Sequence, residues 1–147
     1  MVTGNQGNFT ADERAAMKER AKEARAAARN ASAAEKAAEA AQGVLEKIAE
    51  MPPPDRRIAE AVHSIVAAAA PHLAPRLWYG MPAYALDGEV VLFVQSAAKF
   101  KTRYTTLGFS DQARLDDGVM WPTVFAISEI TADVEERIAQ LVRRAAG

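Results

Sequence analysis

The chain contains no cysteine, and this absence removes disulfide bridges, thiolate metal sites and cysteine nucleophiles together. An excess of one charge is also lacking. The 18 Lys and Arg stand against 19 Asp and Glu, a formal net charge of -1, so no global field draws in nucleic acid or an anionic membrane. Long hydrophobic runs are missing: the longest, Ile65 to Pro71, falls far short of the roughly 20 residues that cross a bilayer. Met1 to Asn8 is polar and holds no apolar signal segment. With the missing cysteines, this predicts a cytoplasmic protein with no membrane partner.

Histidine is scarce. His63 and His72 have Pro71 between them and cannot form the i, i+4 pair of a helical metal site. His63 falls off the apolar stripe of its helix, which predicts an exposed side chain. The sequence offers no Gly-rich phosphate loop, no G-x-S-x-G elbow and no HExxH. Nothing proposes a nucleophile with its base and orienting acid, so the chain reads as non-enzymatic, with no cofactor.

Half of the residues are hydrophobic, but much of that share is alanine in the first third, so the core has to come from about residue 44 onward. Residues 1–9 read as a disordered leader. Thr10-Ala11-Asp12-Glu13 is a capping box and opens an arm over 10–42 in which seven cations interleave with six acids. Met17 is its one large apolar side chain. A second cap at Ser32-Ala33-Ala34-Glu35 leaves open whether the arm is one helix or two. The reading is a solvated arm or a partner-docking helix, the partner including a second copy of the chain.

From Gly43 the pattern changes. Val44, Leu45, Ile48 and Met51 predict a helix over 44–51, stopped by Pro52-Pro53-Pro54. Asp55 is placed to cap the next helix, 55–70, whose buried face is Ile58, Val62, Ile65, Val66 and Ala69. Strand signals follow. Leu77 to Leu86 contains a Gly80-Met81-Pro82 break, Asp87-Gly88 is a hairpin turn, and Glu89 to Val94 is a nearly continuous apolar strand. Lys99 to Thr106 alternates with period two, and Met120 to Ile127 reads as a further strand, with Pro122 favouring an edge position or a strand start. A helix from Thr131 to Ala145 closes the chain, with acids in its first turns and Arg143 and Arg144 in its last. These elements predict an α+β, two-layer domain over 43–147, an antiparallel sheet of four to five strands packed against helices, with the N-terminal Ala-rich helix as an extra.

Three clusters stand out as candidate sites. Trp78-Tyr79-Gly80-Met81-Pro82-Ala83-Tyr84 holds three of the five Trp and Tyr residues. With Tyr104 and Trp121 it either lines a pocket for a small molecule or partner protein, or fills the core beneath the sheet. Lys99, Lys101 and Arg103 on alternate strand positions would stand roughly 6.5 to 7 Å apart, a spacing that suits an anion or a nucleic-acid contact, or a solvated outer face. Asp111, Asp116 and Asp117 form an acidic loop, read as a turn or as a weak cation site.

The segment Tyr79-Gly80-Met81-Pro82-Ala83-Tyr84, the Asp87-Gly88 turn and the Val90 to Val94 strand resemble the YdhG-like family of small bacterial domains of unknown function. The resemblance runs on through Lys101 to Tyr104 and Gly118 to Ile127 into the basic end of the last helix, and covers residues 44–146. It implies a frataxin-like shape and, for some members, an iron-chaperone role, which here would fall to Asp111, Asp116 and Asp117 with Glu129 or Asp133. A Lys-x-His usual in the family stands here as Lys101-Thr102-Arg103, without the imidazole.

Overall fold

The structure, a computed structural model, describes residues 10–147. The leader at 1–9 lies outside the described residues. Helix α1 runs unbroken from Ala11 to Ala49, its start capped by the Thr10 hydroxyl, which accepts from the Glu13 amide at 3.1 Å. Asn30 to Ser32 does not interrupt it, because the flanking alanines carry the helix through. The expected separate helix over 44–51 is therefore the last turns of α1, and Gly43 is accommodated inside it.

The chain divides into two compact units, one ending at Lys36 and the other spanning Ala37–Gly147. In the first, the described side chains are almost all exposed, as interleaved charge on an alanine background dictates. The second is the α+β body. Its core takes Val44 and Ile48 from the end of α1, Ile58, Val62 and Val66 from α2 (Pro53–Ala69), and Ile138 and Val142 from α4 (Ala132–Ala146). The short α3, Ala97–Phe100, lies between the third and fourth strands. Among the described residues, no helix is long and apolar enough to cross a membrane.

The strands β1 (Ala74–Trp78), β2 (Met81–Leu86), β3 (Glu89–Gln95), β4 (Thr105–Phe109) and β5 (Val124–Ile127) form one antiparallel meander in the order β1-β2-β3-β4-β5. This is the two-layer α+β architecture expected, with five strands. Tyr84, Leu92 and Phe109 lie in register across β2, β3 and β4 and face the helices. The opposite face carries the row Arg76, Ala83, Phe93, Gly108 and Val124. The Phe93 ring lies over Gly108, where a Cβ would collide with it, so the aromatic covers the gap that glycine leaves in the strand. A bulge opposite Tyr84/Ala85 lets both Val91 and Leu92 be buried, which accounts for the nearly continuous apolar run of β3.

Three sequence expectations are corrected. The break at Gly80-Met81-Pro82 is a tight hairpin turn centred one residue earlier, with Tyr79 (φ 52°) and Gly80 (φ 74°) both left-handed. Pro82 pairs with Leu77 on β1 and lies beyond the last β2–β3 pair, where no ladder amide is needed. Lys99 to Tyr104 is not strand: Ser96 caps α3, and Lys101 ends it in the left-handed region (φ 54°). Local capping overrides the alternating pattern, and β4 starts only at Thr105. Asp55, finally, does not cap α2, whose N-cap is Pro52 with no side-chain bond.

Candidate functional site

Asp55 instead holds the α3 corner. Only 8% exposed, its Oδ2 accepts from Ser96 Oγ at 2.7 Å and from the Ala98 amide at 3.0 Å, and its Oδ1 accepts from Thr105 Oγ1 at 3.0 Å. The two hydroxyls pass the network on: Thr105 Oγ1 accepts from the Ala97 amide (3.2 Å) and Ser96 Oγ from the Lys99 amide (3.4 Å). Three amides at the start of α3, which have no partner within a helix this short, are thus satisfied by one carboxylate and its two hydroxyls. Desolvation by burial raises the Asp55 pKa, but the bonds from Ala98, Ser96 and Thr105 together outweigh it, and the net shift is downward from 3.8.

The corner so fixed forms one wall of a cleft of about 340 Å³. Met51 and Pro52 after α1, Met81 and Pro82 at the start of β2, and Phe100 on α3 supply its apolar lining. Lys47 and Lys99 bring cations to it. Lys47 is paired with Glu50 at 3.5 Å. Lys99 reaches back over the hairpin turn and donates from Nζ to the Gly80 carbonyl at 3.1 Å. A Cβ at position 80 would push the flexible lysine tip aside, and the left-handed backbone there favours glycine.

The predicted aromatic site is only partly assembled. Met81 lines the cleft. Trp78 precedes the turn and Tyr79 lies in it: the Trp78 ring packs tilted against Phe93 (centroids 5.2 Å apart) and edge-on against Tyr79 (5.0 Å), and Tyr79 is 79% exposed. Tyr84 is 1% exposed within the core, its hydroxyl bonded to His63 Nδ1 at 2.9 Å. Burial raises its pKa well above 10. His63 is accordingly half-buried rather than exposed, and desolvation lowers its pKa from 6.5. Trp121 packs against the core from its loop. Tyr104 lies apart, under the Arg103 guanidinium at 4.8 Å.

Comparison of the chain with protein families, curated proteins and solved structures gives no match.

Of the basic trio, Lys99 alone belongs to the cleft; Lys101 and Arg103 follow it in the turn rather than sharing a strand face with it. Asp111 and Asp116 border a separate recess beside Arg114, next to the exposed Asp117. Among the described residues, no group of three His, Asp or Glu side chains is placed to hold a metal ion. Sequence reasoning missed Lys47, Met51, Pro52 and Asp55. A signal for Asp55 was present, since it continues the buried stripe of Ile58, Ala59 and Val62 one turn upstream.

Proposed function

We propose that the α+β body is a non-enzymatic binding module for a small molecule with an apolar portion and one anionic group, seated in the cleft between Met51 and Phe100. The observation that carries this reading is the placement of Lys99, an ammonium whose hydrogen bond goes to a backbone carbonyl and which lies 5.6 Å from the centre of the Phe100 ring, at the edge of a Met-, Pro- and Phe-lined cleft. Such a cation is free to exchange a neutral acceptor for a carboxylate or phosphate, which makes the stronger, charge-assisted bond. The volume lies at the lower end of the range for ligand sites, which favours a compact ligand. The cysteine-free composition supports a cytoplasmic place of action. The resemblance of Tyr79 to Tyr84 to YdhG-like domains is retained as the proposed kinship.

Octanoate is the probe that tests it. Titrated into the full chain and followed by NMR, it should shift the amides of Gly80, Met81 and Lys99 saturably, and Lys99→Met should weaken binding by about tenfold. Shifts confined to other regions, or none up to about 10 mM, refute the reading.

A further inference from the structure

The two edges of the sheet are built differently. β1 is guarded by Pro75 and by the charge of Arg76, the usual devices that keep a strand from pairing with another chain. β5, Val-Phe-Ala-Ile, has neither proline nor charge within its four residues, and Pro122 stands two residues ahead of it. Three exposed large apolar residues lie on it or shortly before it in sequence: Val119 fully exposed, Met120 87% and Val124 59%.

The direction of its backbone groups follows from one bond. The Phe109 amide donates to the Thr123 carbonyl at 2.8 Å, marking 109/123 as a hydrogen-bonded pair. Alternation then makes Leu107/Phe125 and Thr105/Ile127 the next such pairs. The amides and carbonyls of Val124 and Ala126 therefore point to the open edge.

We infer that β5 is a self-association surface, on which a second copy of this chain adds its own β5 antiparallel about a two-fold axis. Centring the axis on Phe125 sets Val124 opposite Ala126 of the second copy, and Ala126 opposite its Val124. Each of those pairs exchanges two bonds, so the register satisfies both open amides and both open carbonyls on each copy. The strand is uncharged and meets its own image without like-charge repulsion. Phe125 faces Phe125 across the non-bonded position, where side chains approach most closely. Continued beyond the strand, the register carries the exposed Val119-Met120 segment of one copy past the Ile130 segment of the other. A self-complementary neutral strand with flanking exposed apolar residues fits a second copy better than a charged peptide.

Sedimentation or light scattering of the full chain decides the matter. At about 200 µM the wild type should have twice the 15.8 kDa mass of the chain, and Ala126→Pro should halve the observed mass. That substitution removes an edge-facing amide and leaves the β4–β5 bonds in place. Val124→Lys, which sets ammonium groups beside the seam at an exposed position, provides a second variant should the proline disturb the far-UV circular dichroism. A monomeric wild type, or a folded variant that keeps the doubled mass, overturns the inference.

Discussion

Replacing Asp55 by alanine should be among the most damaging single substitutions in this protein. The carboxylate accepts three hydrogen bonds in a nearly closed environment, and its loss leaves the Ala98 amide and the hydroxyls of Ser96 and Thr105 without their acceptor. Each bond to a charged group contributes about 1.5 to 3 kcal/mol, and part of the loss is recovered as water enters the vacated space. The expected cost is therefore about 3 to 4 kcal/mol, a large fraction of the 5 to 15 kcal/mol that ordinarily separates folded from unfolded chains. Asp55→Asn should cost less, about 1 to 2 kcal/mol, because the amide oxygen keeps the Ser96 and Ala98 bonds while the Thr105 hydroxyl reverses to accept. Urea unfolding followed by circular dichroism measures both. Acid supplies an independent reading. The carboxyl titrates below its ordinary 3.8 in the fold, so its stabilisation is complete above that value and is lost as pH falls through the folded pKa. Both variants should lack this component of the wild-type acid transition. An alanine variant within about 0.5 kcal/mol of wild type would refute the whole account of the α3 corner.

The Tyr84–His63 pair and the Phe93–Gly108 contact give three further predictions. Tyr84→Phe keeps the packing and removes one hydrogen bond, for about 1 kcal/mol in urea unfolding. Because His63 binds its proton less readily in the fold than at 6.5, the wild type should lose stability as pH drops from 6.5 through the folded pKa, and His63→Gln should be flatter over that range. Gly108→Ala should cost about 1 to 3 kcal/mol, since the new methyl displaces the Phe93 ring; an unchanged urea midpoint would show that the ring moves aside freely.

The parts of this fold legible from sequence are those written in neighbouring residues. Thr10 caps its helix as expected, Asp87 and Gly88 both take positive φ in a hairpin, and the strand read over Met120 to Ile127 forms at a sheet edge, though only from Val124. The turn at Tyr79-Gly80 was missed because tyrosine rarely adopts the left-handed region, which pointed to the Gly-Met-Pro step instead. Lys99 to Tyr104 misled for a different reason. Its alternation of charged and apolar residues is genuine, but Ser96 and the Asp55 network commit the backbone to a helical turn first, and Asp55 lies more than 40 residues away in sequence. The cleft was half visible: Gly80, Met81 and Pro82 were singled out, while Lys47, Met51 and Pro52 come from a helix end that only the tertiary fold brings near. Tyr84 shows the limit most clearly, since an aromatic two residues beyond a cleft-lining strand segment points to the core or to a ligand according to register alone.

The order of the strands bears on how the molecule assembles. Every strand pairs only with its predecessor and successor in the chain, so each ladder closes a short loop and the entropy lost at each step is small. The costly encounter is between α2 and α4, which bracket the entire meander and pack on one another across it. The hairpins should accordingly zip early and reversibly, while the joining of those two helices sets the pace at which the native state is reached.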